Sequence, residues 1–358
     1  MNPLPAAPTL DPRHRPPQIT AGWYVLCQSH ELRPGRLLKR QLHGRPLVLF
    51  RAADGRPATM LDRCPHRNVP LSRGHVVEGE LQCSYHGWRF DRAGACTDIP
   101  GLVGEPAAPN RCARAYPTVE QQGFVWAWGE PGDAPESMPF RFDYADDPQY
   151  LTVRRSLPAR GSLHMVAENA LDVPHTAFVH GGLFRTDRDR SPISCVIQRW
   201  HDRVECEFVG EARPSGLAGR LLSPSGGEVV HHDRFFLPGI VQVEYRIGDE
   251  NHLQLNGALT PVDDFHTVMH ACVSLKSRVP GWLIRPIVQP LALYIFGQDQ
   301  SVLGSQTDSI HAFGSMSYAS SDIDVLGPHI LKLMRRAERG QLGDSDAPPW
   351  RREVEMLM

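Results

Sequence analysis

The sequence has no apolar run of the length a membrane span needs, about 20 residues. Its most apolar late stretch, Trp282 to Gly297, is broken by Arg285, Pro286 and Pro290 and reads as a buried approach to a helix. Basic charge is not in surplus either: 38 Lys and Arg against 40 Asp and Glu leave a formal net charge of -2, which excludes a nucleic-acid binder. No G-x-G-x-x-G fingerprint follows a strand, so the chain lacks a dinucleotide site of its own. No internal repeat is evident. Six of the eight cysteines, Cys27, Cys96, Cys112, Cys195, Cys206 and Cys272, are scattered without a disulfide framework, and a reducing, cytoplasmic setting fits them. Met1 to Gln18 is rich in proline and has no apolar core before a cleavage site; it reads as a loose tail and not as a secretory signal.

Against these absences stands one spacing. Cys64-Pro65-His66-Arg67 is followed, with sixteen residues between His66 and Cys83, by Cys83-Ser84-Tyr85-His86-Gly87-Trp88. Two mixed cysteine and histidine pairs of this form read as a Rieske iron–sulfur site. Cys64 and Cys83 bind one iron as thiolates, His66 and His86 the other as imidazoles, and histidine in place of cysteine raises the reduction potential. Thiolate and imidazole also suit tetrahedral zinc, but zinc hairpins open with two cysteines, and each pair here is mixed. An electron carrier implies oxidoreduction.

The surroundings fit a small all-β domain. Short apolar runs at Trp23 to Cys27, Leu37 to Leu42, Pro46 to Arg51, Pro57 to Leu61 and Gly123 to Trp128 are punctuated by the turn pairs His43-Gly44 and Asp54-Gly55. Glu130-Pro131-Gly132-Asp133-Ala134-Pro135 reads as the exit linker. Beyond it, Leu163 to Val179 looks helical around Pro174. Arg199 to Val209, Asp233 to Leu237, Ile240 to Arg246, His252 to Leu259 and Thr267 to Leu275 look like consecutive antiparallel strands, and helices are expected about Leu291 to Ser305 and Asp322 to Glu338. The expected class is α+β, a Rieske domain over residues 19–135 and a helix-grip-like catalytic domain over 136–340, its antiparallel sheet curved around helices. Residues 1–18 and 341–358 are expected as tails.

A second constellation lies in Glu168-Asn169-Ala170-Leu171-Asp172-Val173-Pro174-His175-Thr176-Ala177-Phe178-Val179-His180. Two histidines and one carboxylate make the facial triad of mononuclear non-heme iron, with open positions for oxygen and substrate. Residues five apart diverge by about 140° on a regular helix, so a distortion must bring His175 and His180 together, a π-type widening being one solution. The alternative is two unrelated surface histidines with Asp172 as an N-cap. For the carboxylate the best candidate is Asp299, which falls on the same helix side as Leu291, Ile295 and Val302, where a charge needs a partner. Asp308 is second, in the polar setting Ser305 to Ser309.

Together the motifs Cys64-x-His66, Cys83-x2-His86, Asn169-x2-Asp172-x2-His175-x4-His180 and the distal Asp299 resemble the oxygenase component of Rieske non-heme iron oxygenases. The resemblance runs from about Trp23 to Glu338, and the short catalytic domain looks like the vanillate O-demethylase and dicamba monooxygenase branch. It implies a [2Fe–2S] cluster, a mononuclear Fe(II), a homotrimer, and NAD(P)H electrons delivered by a separate flavin reductase or ferredoxin. It also implies that Asn169 and Asp172 serve catalysis, with Asp172 bridging His86 of one subunit and His175 of its neighbour. The implied reaction is hydroxylation or oxidative demethylation of an aromatic or polycyclic substrate by dioxygen. The competing class is a Rieske electron-transfer protein whose C-terminal domain binds a ligand without oxygenating it. The Gly/Pro/Ser-rich segment Gly210 to Gly227 is either a lid or an idle loop, and Asn256 faces either substrate or solvent.

Overall fold

A computed structural model describes residues 15–181, 191–211, 229–248, 251–277 and 281–357. The chain divides into two compact units, one of Ile19–Arg141 with Thr260–Asp263, the other of Phe142–Leu259 and Asp264–Met358 with the N-terminal residues to Gln18.

The first unit is all β, as expected. One sheet runs Leu38–Leu42, Arg45–Arg51, Pro57–Leu61 and Ala115–Tyr116; another sets Phe124–Trp128 between Trp23–Gln28 and Thr118–Gln121. Leu42 pairs with Arg45 across a two-residue turn, where His43 and Gly44 take φ of 49° and 74°. Two positive φ angles are what a hairpin of this length demands. A third, small sheet joins His75–Val77, Glu80–Gln82, Arg89–Phe90 and Cys96–Asp98. Val48, Phe50, Met60, Leu71, Leu81 and Phe90 form a core that also takes in Cys64 and Cys83.

The second unit is built on an eight-stranded antiparallel sheet. Its order is Leu151–Arg160, His266–Lys276, Asn251–Asp263, Ile240–Ile247, Val229–Phe236, Arg203–Val209, Pro192–Arg199 and Trp350–Leu357. The strand expected over Arg199 to Val209 is the second half of a hairpin whose first half, Pro192–Arg199, the sequence reading missed. Two more strands were missed. Leu151–Arg160 pairs with His266–Lys276, and Trp350–Leu357, in the segment expected as a tail, pairs with Pro192–Arg199. Alternation is weak in both: Leu151–Arg160 carries three arginines and a proline, and Trp350–Leu357 is mostly exposed. At the other end, Arg15 to Gln18 are fastened and not loose, for Arg15 pairs with Asp264 at 3.2 Å and Gln18 N–H donates to Glu338 Oε1 at 2.9 Å.

Among the described residues, four helices accompany the sheet. The first, α1 (Leu163–Leu171), starts at Ser162, whose hydroxyl accepts from the Met165 N–H, and buries Leu163, Val166, Ala167 and Leu171. A single turn, α2 (Thr176–Val179), follows after Asp172-Val173-Pro174-His175. The long α3 (Gly281–Phe313) corrects the expectation of a buried approach, because it runs through Pro286 and Pro290 and exposes Leu283, Leu293 and Tyr294. The two prolines are four residues apart and both exposed, and the helix continues through them although each removes one backbone donor. The last helix, α4 (Gly327–Glu338), begins later than expected and buries Gly327, Ile330, Leu333 and Met334 along one stripe. At Gly327 the Glu168 carboxylate of α1 occupies the place a Cβ would take, so a larger residue there requires Glu168 to move aside. None of the described helices is long and apolar enough to cross a membrane.

Candidate metal centres

In the first unit, the two cysteine and histidine pairs occupy loops with the same hydrogen-bond frame. Cys64 N–H donates to Val69 O at 2.9 Å and Asn68 N–H returns to Cys64 O at 3.0 Å; Cys83 N–H donates to Trp88 O at 2.8 Å and Gly87 N–H returns to Cys83 O at 3.2 Å. Each loop is turned by a left-handed residue four places after its cysteine, Asn68 at φ 63° and Gly87 at φ 74°. Both cysteines are buried, whereas His66 is half-buried and His86 exposed. The imidazoles lie edge to face at 4.6 Å, His66 stacked on Trp88 at 4.6 Å and 7°, and Tyr85 over His86 at 3.8 Å. Burial pushes the Cys64 thiol up to about 11. It therefore becomes a thiolate only when a metal takes the proton's place. Thiols inward and imidazoles outward suit a two-iron cluster that takes and gives electrons on its histidine side.

In the second unit, His175, His180 and Asp299 bring their donor atoms within 4.8 Å of one another. His180 Nε2 is 3.1 Å and His175 Nε2 3.4 Å from Asp299 Oδ1, and the two Nε2 atoms are 3.3 Å apart. Cis ligands on metal bonds of about 2.1 Å stand about 3.0 Å apart, so the three atoms have the spacing of one face of a coordination sphere. Among the described residues no other His, Cys, Asp and Glu group converges this closely, and the four N-terminal donors do not, which agrees with a dinuclear cluster there and not a single zinc.

The way the histidines meet differs from a π-bulge. The helix stops at Leu171, and His175 and His180 sit at the two ends of the single turn α2, as its N-cap and C-cap residues. The break falls at Pro174, which removes a backbone donor, and at a cap the chain direction changes freely enough to return both rings to one point. Asp172 is the C-cap of α1 and not an N-cap, with φ -92° and ψ 97°. Its backbone carbonyl accepts from His175 Nδ1, and its Oδ2 lies 3.7 Å from the same atom. Asn169 Nδ2 reaches Asp299 Oδ1 at 3.5 Å. Asp308, the alternative carboxylate, is exposed and pairs with Arg160. Asn256 is fully buried, its amide accepting from Gln242 and donating to Gln254, so the solvent-facing reading is overturned. Residues 212–228, most of the segment considered as a lid, lie outside the described residues.

Two features escaped the sequence reading. Gln298, next to Asp299, places Oε1 2.9 Å from His180 Nδ1; the sign was an amide beside an inward acid on a helix. The second is a buried ionic cluster on the sheet, where His231 Nδ1 is 2.6 Å from Glu211 Oε2 and Nε2 3.0 Å from Asp233 Oδ1, with Phe208 and Tyr245 stacked on the ring faces. Nothing periodic announces it, since His231 and Asp233 occupy inward positions of a strand where apolar residues are the norm.

Residues 22–116 match the model of the Rieske [2Fe-2S] domain, and residues 159–340 match that of the vanillate O-demethylase oxygenase C-terminal domain. The oxygenase component of dicamba O-demethylase from Stenotrophomonas maltophilia is 33% identical over 300 residues, 82% of this chain and 77% of that one. Chlorophyllide a oxygenase of Chlamydomonas reinhardtii is 36% identical over 164 residues, 45% of this chain but only 24% of that longer protein. A crystal structure of dicamba monooxygenase bound to dicamba superposes with a TM-score of 0.76 at 23% identity, covering 91% of this chain and 99% of the other, which shows the shared fold.

Proposed function

The chain belongs to the Rieske non-heme iron oxygenases with a vanillate O-demethylase type of catalytic domain, and from that premise we propose that it hydroxylates or oxidatively demethylates an aromatic or polycyclic organic substrate with dioxygen. Cys64, His66, Cys83 and His86 are assigned to a [2Fe–2S] cluster carried by residues 19–135. His175, His180 and Asp299 are assigned to a mononuclear iron carried by residues 136–340. When bound, the cluster supplies single electrons and the iron supplies oxygen activation. The chain's own groups shape each site by itself: buried cysteines retain charge inside, exposed His86 offers the exit, and the Asp172 carbonyl and Gln298 amide accept the Nδ1 protons of His175 and His180 so that both Nε2 lone pairs face Asp299.

Electrons are assigned to a separate NAD(P)H-dependent reductase or ferredoxin, because the sequence has no nucleotide fingerprint. Asp172, with 37% of its side chain exposed beside His175, is placed as the link to His86 of a neighbouring subunit in a homotrimer. The six cysteines outside the cluster, none of them in a disulfide, favour the cytoplasm. The observation that carries the reading is the mutual 3.1–3.4 Å spacing of the three donor atoms, which a carrier protein with a mere ligand-binding domain has no need to maintain. Iron analysis tests it, with three irons per chain expected of an oxygenase and two of a carrier. A panel of O-methyl, N-methyl and polycyclic aromatics, scored by coupled oxygen uptake and product mass, then identifies the reaction.

A further inference from the structure

We propose that Gln298 is a positioning residue of the mononuclear site, holding His180 through a neutral acceptor and thereby making the two imidazoles of the triad electronically unequal. This rests on the assignment of His175, His180 and Asp299 to iron. The His180 side chain is only 2% exposed, so water does not satisfy its second nitrogen. Gln298 Oε1 does so at 2.9 Å. The orientation of the amide is fixed by chemistry: Nε2 of His180 must offer a lone pair toward Asp299, so Nδ1 carries the proton and needs an acceptor.

The remaining amide nitrogen, Gln298 Nε2, lies 3.5 Å from the Tyr294 hydroxyl one turn earlier on α3. Tyr294, Gln298 and Asp299 share one helix, so α3 supplies one ligand and also sets the ring of another. His175 is held differently, by the Asp172 backbone carbonyl with a carboxylate 3.7 Å away. A carboxylate near an imidazole raises its basicity, whereas an amide does so far less. Charge at Asp172 therefore acts on the iron through His175, and His180 serves as the constant ligand.

The test compares Gln298→Leu and Gln298→Glu with the parent, by Fe(II) titration of the iron-stripped mononuclear site and by electron paramagnetic resonance of the ferrous site with nitric oxide. Gln298→Leu should loosen Fe(II) by about 10- to 100-fold and alter the nitrosyl signal, because the ring loses its acceptor. Gln298→Glu should bind Fe(II) at least as tightly as the parent, since the acceptor is restored with a charge. An unchanged Rieske absorbance in both variants shows that the fold is intact. Parent-like affinity and signal in Gln298→Leu, or equal loss in Gln298→Glu, would overturn the proposal. His180→Ala runs alongside: parent-like iron binding there would overturn the site assignment itself, and this proposal with it.

Discussion

His180 Nε2 and Asp299 Oδ1 lie 3.1 Å apart, the one just beyond α2 and the other midway along α3. Two acceptor lone pairs do not approach this closely without a proton or a cation between them. Asp299→Ala is expected to lower iron from three to two per chain and abolish turnover while the cluster spectrum persists. Asp308→Ala, which breaks only a surface pair with Arg160, should leave both unchanged. Loss of iron in the Asp308 variant and not in the other would reverse the choice of carboxylate.

Cys64→Ser or His86→Ala should remove the visible Rieske absorbance, since each takes a ligand from a different iron. His175→Ala should do the opposite, keeping the colour and losing product formation. A normal cluster spectrum in both of the first two variants would sink the N-terminal assignment.

Glu168 gives a prediction in pH. Burial, reinforced by Asp172 and Asp324, pushes its carboxyl up to about 7 from 4.5. The folded protein thus holds this proton more tightly than the unfolded chain does. The associated stability is complete below about pH 4.5 and is lost as the pH rises through about 7, by no more than about 3 kcal/mol. Glu168→Gln keeps the shape that fits against Gly327 without ionising. Its melting temperature should exceed the parent's at about pH 8 and converge with it near pH 4; an identical pH profile for the two proteins would show that Glu168 does not titrate in this range.

His231 is caught between two carboxylates that raise it to about 9 in spite of its burial. Its charge stabilises the fold below about pH 6.5, and that contribution is lost as the pH climbs through about 9. His231→Phe preserves a ring between Phe208 and Tyr245 but removes the cation that lies between Glu211 and Asp233. A loss of about 3–5 kcal/mol is expected in urea denaturation at neutral pH, partly recovered by adding Asp233→Asn. A parent-like midpoint for His231→Phe would mean that the two carboxylates are already neutral.

The residues assigned to the metals were legible because coordination chemistry restricts residue type and spacing at once: Cys64, His66, Cys83, His86, His175 and His180 need no tertiary information to be noticed. Asp299 required one more step, the cost of a charge on an apolar helix face. What could not be read depends on long-range pairing. Trp350–Leu357 becomes a strand because Pro192–Arg199 offers it an edge, and alternation in its own residues is too faint to announce it. The meeting of His175 and His180 was expected from a widened helix, whereas the chain achieves it by ending one helix and starting another. Local sequence marks the need for a distortion at Pro174 but not its form.

Asp172→Asn separates the site's assembly from its use. The His175 Nδ1 proton is accepted by the Asp172 backbone carbonyl, which substitution leaves in place, while the carboxylate 3.7 Å away loses its charge. The ring should therefore keep its tautomer and the iron its three ligands, so metal analysis and cluster spectrum stay normal. Electron passage is another matter. If Asp172 polarises the imidazoles on either side of it, oxidation of pre-reduced cluster in the presence of substrate should slow by at least about 10-fold in stopped-flow absorbance. The variant with Ala at this position gives the same normal iron content and the same slow phase if charge, and not bulk, is responsible. Parent-rate oxidation in Asp172→Asn would leave Asp172 as only the C-cap of α1, and the electron would have to reach the iron by contacts that do not involve its carboxylate.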